Sequence, residues 1–152
     1  PATKLLKSAG IEFKEHEYSH DPNSTSFGLE AAEKLGVDPN RVFKTLIANV
    51  DENFAVAIVP VNQQVSLKSL SRSLGAKRAS MADPTQAARL TGYVVGGISP
   101  LGQKRLLATV IDESAKKFET ILVSGGRRGF DIELSPTDLA DLLSAIFAEI
   151  AT

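Results

Sequence analysis

Lys44 is a candidate for chemistry, because its neighbours in the sequence are apolar. It stands in the run Val-Phe-Lys-Thr-Leu-Ile, residues 42 to 47, where both faces of a strand are otherwise apolar. An ammonium group there loses hydration unless it reaches an anion or the mouth of a pocket. The alternative is a side chain that snorkels to water from a strand end. Lys44 is therefore a candidate anion-binding residue, and the residues alone leave both interpretations open.

Two glycine-rich segments could bring main-chain N–H groups close to a ligand. The first runs from Gly92 to Lys104 with the sequence GYVVGGISPLGQK, and the second, SGGRRG, runs from Ser124 to Gly129. Glycine lets the backbone approach a ligand closely, and successive N–H groups form concave anion sites. A turn without a ligand and a hairpin tip are the alternatives for the two segments.

The sequence contains no self-sufficient catalytic group. It has no Cys, which excludes disulfides, thiolate zinc sites and a cysteine nucleophile. Walker, GxGxxG, GxSxG and HExxH motifs are absent, and neither Ser99 nor Ser124 has an evident triad. His16 and His20 flank a loop, so turn capping or surface exposure is favoured over a metal pair. We expect no metal, no cofactor and little covalent work by the protein.

The length and charge of the chain limit the classes of protein to which it can belong. The 152 residues predict one domain, 1–152, and the longest apolar run, Phe54 to Val61, is too short to span a bilayer. With no leader sequence evident, we expect a cytoplasmic protein. The net charge is only −1, but residues 66–128 contain 11 basic and 4 acidic side chains, a local net charge of +7. An anionic partner would be attracted to this segment, unless acidic neighbours balance it after folding.

Apolar spacing and capping residues predict five helices. The first is capped by Thr3 and ends at Gly10, and the second covers Phe27 to Leu35. Two more run from Ser66 to Gly75 and from Asp83 to Gly92. The last begins at a cap formed by Ser135, Pro136 and Asp138, and its apolar stripe comprises Leu139, Leu142, Leu143, Ile146, Phe147 and Ile150.

The remaining apolar runs predict strands. Residues 42–50 and 54–61 form a hairpin buried on both faces, and a polar loop covers His16 to Ser26. Further strands are predicted at residues 11–18, 93–95, 108–111, 120–124 and 130–134. The fold class is α+β, with a central, partly closed sheet and helices packed on it.

These motifs, in this order, resemble the YbaK/EbsC family, specifically its YbaK-type Cys-tRNA(Pro) deacylases. These are free-standing relatives of the editing domain inserted in bacterial prolyl-tRNA synthetases. The resemblance covers nearly the whole chain. It includes Thr-Gly-Tyr at 91–93 and Asp-Ile-Glu-Leu at 131–134. Its most specific parts are Phe-Lys-Thr-Leu at 43–46, GGISPLGQK at 96–104 and Val-Ser-Gly-Gly at 123–126.

The resemblance implies a twisted, partly closed, barrel-like mixed sheet surrounded by helices. It also implies removal of cysteine from mischarged tRNA(Pro), with aminoacyl-tRNA as substrate and prolyl-tRNA synthetase as partner. In the family the substrate's own thiol is thought to attack its carbonyl and leave a thiolactone, so lyase would describe the reaction as fairly as hydrolase. Editing of alanine or another small residue is one alternative. A non-catalytic module that binds aminoacyl-tRNA or the synthetase is another.

The resemblance also implies roles for individual residues. Lys44 matches the family's essential lysine, which holds the terminal phosphate or orients the ester, and Thr45 supports it. Backbone donors to the carbonyl oxygen come from Gly96, Gly97, Ile98 and Ser99. The pocket and substrate contacts involve Tyr18, Phe27, Ser124, Gly125, Gly126 and Asp131. Phosphates of the tRNA are contacted by Lys104, Arg105, Arg127 and Arg128.

Overall fold

The computed structural model describes residues 1–24 and 27–152. Thr25 and Ser26, which end the predicted loop, lie outside the described residues. The helices are α1 Ala2–Ala9, α2 Phe27–Leu35, α3 Leu67–Ser73, α4 Pro84–Thr91 and α5 Pro136–Leu143. The strands are β1 Phe13–Glu17, β2 Phe43–Val50, β3 Asn53–Pro60, β4 Ala79–Met81, β5 Ala108–Asp112, β6 Ile121–Arg127, β7 Phe130–Leu134 and β8 Ile146–Ala148. Short 3-10 helices cover Pro39–Arg41 and Glu113–Lys117.

The described strands form two sheets, whereas the sequence predicts a single one. The smaller has the order β1-β7-β6 and is antiparallel, and the larger has the order β4-β2-β3-β5-β8 with both parallel and antiparallel pairs. An isolated bridge connects Val42, the residue before β2, with Leu122 of β6. The mixed α+β class is confirmed. Neither sheet closes on itself among the described residues, so the predicted barrel-like closure is not confirmed.

Most helix ends lie where local sequence predicts them. Ser66, Asp83 and Ser135 each accept a hydrogen bond from a main-chain N–H three residues later, and thereby cap α3, α4 and α5. Gly92 ends α4 in the left-handed conformation that glycine adopts without strain. The Thr3 cap is wrong, because α1 begins at Ala2 and has no side-chain cap.

The C-terminal part of the last predicted helix is a strand instead. α5 ends at Leu143, and Ser144 is left-handed with φ 53°. Residues 146–148 form β8, which pairs in parallel with β5. Periodicity alone predicts a continuous helix here, but the open edge of β5 offers main-chain hydrogen bonds that a helix could not use. The apolar stripe therefore divides between a helix and a strand.

The predicted strand at residues 93–95 is also wrong, because this segment is an irregular loop. The Tyr93 hydroxyl is buried and donates to Leu101 O at 2.5 Å, which closes the loop on itself. The short strand β4 was not predicted, because three residues are too few to show an alternating apolar pattern. The hairpin of β2 and β3 is confirmed, with β3 buried from Ala55 to Pro60, but β2 is only partly buried at Lys44, Leu46 and Asn49. Among the described helices, none has the length and apolar character needed to cross a bilayer.

Candidate functional site

A cavity of about 450 Å³ lies between α2, the start of α4, the edge of β2 and the β6–β7 turn. This volume is within the range of small-molecule sites. The cavity brings together residues that are far apart in the chain. The predicted site residues among its lining are Tyr18, Phe27, Lys44, Thr45, Gly96, Ile98, Ser124, Arg127, Arg128 and Asp131.

The edge of β2 opens onto this cavity because it is covered only at its two ends. β4 pairs with residues Ala48 to Val50, and Val42 bridges to β6. On the β4 side, Ile47 O accepts a hydrogen bond from Ala82 N. Main-chain groups alternate in direction along a strand, so Thr45, two residues earlier, also directs its N–H and C=O to that side. A ligand in the cavity therefore meets main-chain as well as side-chain polar groups.

Lys44 and Thr45 add a partly buried ammonium group and a buried hydroxyl to this wall. The Lys44 ammonium makes no ion pair among the described residues, and partial burial lowers its pKa. Thr45 is buried, and its Oγ1 has no hydrogen-bond partner within the part of the chain that the structure describes. A buried hydroxyl without a partner is a free-energy penalty that a bound polar group would remove.

Asp131 is the one carboxylate among the described cavity residues. It lies on β7 opposite Ser124 of β6 and His16 of β1, and is only 6% exposed. Burial raises its pKa from 3.8 to about 7, and the nearby His16 opposes the rise only partly. Asp131 can therefore hold or release a proton near neutral pH. Burial, together with the Asp131 charge, also raises the pKa of the Tyr18 hydroxyl, which stays protonated.

Arg128 and Phe27 pack together at the cavity mouth. The guanidinium carbon lies 3.8 Å from the centre of the Phe27 ring, and Nη2 donates to Val95 O at 3.0 Å. Gly96, with φ +92°, lies against both groups, and a β-carbon there would approach Arg128 Nε to 2.6 Å and Phe27 Cδ2 to 2.8 Å. Glycine is thus required at position 96 for this closure.

Six predicted site residues lie outside the cavity lining: Gly97, Ser99, Gly125, Gly126, Lys104 and Arg105. The Gly97 N–H is bonded to Val94 O. Ser99 is fully buried, and its Oγ accepts from Leu101 N. Gly125 makes room for the Phe130 ring and Gly126 for the Tyr93 ring. Lys104 and Arg105 are exposed beyond the loop.

Sequence reasoning missed a buried carboxylate next to this site. Glu30 of α2 contacts His20 Nδ1 at 2.6 Å and accepts from Asp21 N at 2.8 Å. Burial raises the Glu30 pKa, but these contacts and the Lys34 charge outweigh burial, so the pKa lies below its ordinary value. The His20 ring packs on Phe27, with centres 5.7 Å apart. Glu30 therefore links the chain after β1 to α2. Its position next to Ala31 and Ala32, both buried, is the sequence feature that could have indicated its burial.

The two histidines belong to separate networks. His16 Nε2 lies 2.8 Å from Glu133 Oε1 on the smaller sheet, whereas His20 contacts Glu30. The interpretation that favoured turn and surface roles missed both carboxylate partners, because these contacts span 117 and 10 residues of sequence.

Comparison with known proteins begins with a family model. The model described as an aminoacyl-tRNA editing domain matches residues 21–142. This range includes β2, both glycine-rich segments and Asp131, and so contains nearly all of the cavity wall described above.

Individual proteins extend the similarity to the chain ends. EbsC of Enterococcus faecalis, named as a candidate Cys-tRNA(Pro)/Cys-tRNA(Cys) deacylase, is 35% identical over 99% of this chain and 92% of its own. The proline–tRNA ligase of Thermosipho melanesiensis is 28% identical over 77% of this chain, which matches only 20% of the ligase. The crystal structure of a candidate trans-editing enzyme for prolyl-tRNA synthetase superposes with a TM-score of 0.84 and 23% identity, covering 99% of this chain and 94% of the other.

Proposed function

The chain belongs to the aminoacyl-tRNA editing domain family, and on this basis we propose that it removes cysteine from mischarged tRNA(Pro). All 152 residues are proposed to act as one editing domain in the cytoplasm. Cysteine and proline are similar in size, and a synthetase pocket discriminates such side chains by only about 1 to 3 kcal/mol. A second hydrolytic site for the wrong product is therefore physically reasonable.

One observation carries this proposal: the cavity presents cations and orienting groups but no activated nucleophile. Among the described lining residues, Ser124 and Thr45 carry the aliphatic hydroxyls, and no histidine accompanies them. The Ser124 Oγ accepts from Gly126 N, and among the described residues no hydrogen bond joins it to Asp131 on the neighbouring strand. A substrate that brings its own thiol needs only to be held in an attacking geometry.

The proposed reaction begins with the side-chain thiol of the cysteinyl ester. The sulfur loses its proton and bonds to the ester carbonyl carbon, the C–O bond to the terminal ribose breaks, and the ribose oxygen leaves with a proton. The products are tRNA and a cyclic thiolactone, which water then opens to cysteine. Asp131, with a pKa of about 7, is proposed to take the thiol proton and return it to the ribose oxygen.

The other site residues hold the ester. Lys44 is proposed to contact the terminal phosphate or the ester, since it has no anionic partner of its own among the described residues. Gly96 and Ile98 are the proposed main-chain donors to the carbonyl oxygen, because the Gly97 N–H is already bonded. Thr45 Oγ1 is proposed to bond the substrate, which removes its unsatisfied state.

The tRNA body is proposed to reach the cavity along a basic surface formed by Arg127, Arg128, Lys104 and Arg105, all of which are exposed. Prolyl-tRNA synthetase is the proposed partner, which would deliver mischarged tRNA before release. These contacts position the acceptor end without reading its sequence.

The decisive test is the rate of cysteine loss from Cys-tRNA(Pro) in the wild-type protein and in Lys44→Met. Methionine keeps the aliphatic length and removes a partly desolvated charge, so the variant should fold at least as stably as the wild type. Its deacylation rate should fall about a hundredfold or more. An unchanged rate in a folded Lys44→Met protein would remove Lys44 from the mechanism.

Matched esters decide between the proposed reaction and its alternatives. Cysteinyl, alanyl and seryl esters of the same tRNA(Pro) are compared in one assay, with an S-methylcysteinyl ester as the blocked-thiol control. Only the cysteinyl ester should be lost quickly. Equal loss of the alanyl ester would favour general small-residue editing, and tight binding without any loss would favour a non-catalytic module.

A further inference from the structure

Exposed apolar side chains are concentrated at the cavity mouth. Of the six large apolar side chains that are exposed in the described part of the chain, Leu29, Met81 and Val95 line the same cavity. They come from α2, β4 and the loop before Gly96, and are 42%, 44% and 44% exposed. Single exposed apolar residues need no explanation, but a group gathered from three elements at one opening indicates a contact surface.

Positively charged side chains line the same cavity as Leu29, Met81 and Val95. Arg127 and Arg128 also line the cavity, as does Lys44, and Asp131 is the single carboxylate among the described lining residues. The Arg128 guanidinium lies close enough to Phe27 for a cation–π contact at 3.8 Å, and the residue is exposed. Its outer face is available to a second planar group. The opening thus combines apolar contact area with positive charge.

A nucleotide fits this combination better than a protein segment does. Its base has two apolar faces, its phosphate is anionic, and the opening leads into a cavity of small-molecule size. We propose that Leu29, Met81 and Val95 form the contact surface for the adenine ring of the 3′-terminal nucleoside of aminoacyl-tRNA, an assignment that rests on the proposed function. Apolar contacts of this kind accept the terminal adenosine that all tRNAs share, without reading tRNA identity.

The test measures binding of AMP and of ribose 5-phosphate, which lacks the base, to the full chain. Leu29→Ser, Met81→Ser and Val95→Ser should each weaken AMP binding about threefold to tenfold and leave ribose 5-phosphate binding unchanged. Ile146→Ser is the matched control, because Ile146 is 45% exposed on β8, the edge strand opposite β4. The control should bind both ligands as the wild type does.

The assignment would be overturned if the three substitutions left the affinity for AMP unchanged. It would also be overturned if Ile146→Ser lowered that affinity as much as they do. If the same variants instead lost affinity for prolyl-tRNA synthetase, the surface would be a protein docking site and the assignment would be wrong. Failure of the proposed function gives a different result. In that case AMP binding still depends on Leu29, Met81 and Val95, but the protein does not remove cysteine from Cys-tRNA(Pro). If cysteine is lost rapidly but AMP binding does not depend on these three residues, only the adenine assignment is wrong.

Discussion

Among individual residues, Asp131 can exchange a proton near neutral pH because it is buried, which an ordinary aspartate cannot do. An exposed aspartate is ionised at neutral pH, whereas Asp131, enclosed between β1 and β6, has a pKa of about 7. The fold holds a carboxyl group in a site that disfavours its charged form, and stability is lost for that reason. Such strain is common where a group must exchange protons.

The Asp131 pKa makes stability depend on pH. Below pH 3.8 the carboxyl is protonated in both states, and between pH 3.8 and about 7 only the unfolded state releases the proton. The free energy of unfolding should therefore decrease as pH rises through this window, by roughly 4 kcal/mol in total. Asp131→Asn, which mimics the protonated acid, should lack this decrease and be more stable than the wild type at a pH of about 8.

Urea unfolding of both proteins across this pH range measures the effect. The difference between them should grow up to a pH of about 7 and then stay constant. A difference that is the same at every pH would show that Asp131 titrates normally in the folded protein.

Among the secondary-structure elements, the C-terminal segment after α5 is held in place by Asp112. Its Oδ1 accepts from the N–H groups of Ile150 and Ala151, both at 2.9 Å, and Oδ2 accepts from Ser114 N at 3.2 Å. One buried carboxylate thus holds this segment against β5, where β8 adds a strand. The bonds to Ile150 and Ala151 are available only to an extended segment, which is why the helical pattern does not continue.

Asp112→Ala should destabilise the protein by about 3 kcal/mol, because three buried or partly buried N–H groups lose their acceptor. Asp38→Ala is the control, since Asp38 is exposed and accepts one bond, from Asn40 N at 2.9 Å; its loss should be about 1 kcal/mol or less. Denaturant unfolding measures both, and hydrogen exchange at Ile150 and Ala151 should accelerate in Asp112→Ala alone. Equal losses in the two variants would show that the C-terminal segment is held by other contacts.

Across the whole molecule, the basic residues of segment 66–128 are spread over several elements. Among these 11 basic residues, Arg127 and Arg128 line the cavity, whereas Lys117 ends the 3-10 helix after β5 and is not a lining residue. Arg127 is paired with Glu17 at 3.2 Å, an exposed contact that a phosphate can replace at little free-energy cost. Charge along the chain thus indicates an anionic partner but not its path.

Salt dependence of tRNA(Pro) binding separates these cations. Replacing Arg127 and Arg128 together by Gln should reduce the slope of log affinity against log salt by about 1.4, measured from about 50 to about 200 mM salt. Lys117→Gln should leave the slope unchanged, because Lys117 ends the 3-10 helix after β5 and is not part of the proposed tRNA surface. A slope reduced as much by Lys117→Gln would mean that the tRNA follows another face of the protein.

Features of this protein that depend on neighbouring residues could be predicted from the amino-acid sequence. Capping groups such as Asp83, the ends of α2 and the buried hairpin around Lys44 follow from local conformational preference and apolar pattern. The absence of Cys likewise needed no structure, and the resemblance carried by the motifs led to the family that the comparisons show.

Features that depend on residues far apart in the chain emerged only from the folded protein. The extended form of residues 146–148, the proton affinity of Asp131 and the pairing of His20 with Glu30 each require a distant partner or a desolvated environment. The open edge of β2 at Thr45 exists because β4 and β6 stop on either side of it. Burial and strand pairing are properties of the assembled chain, so no local pattern encodes them.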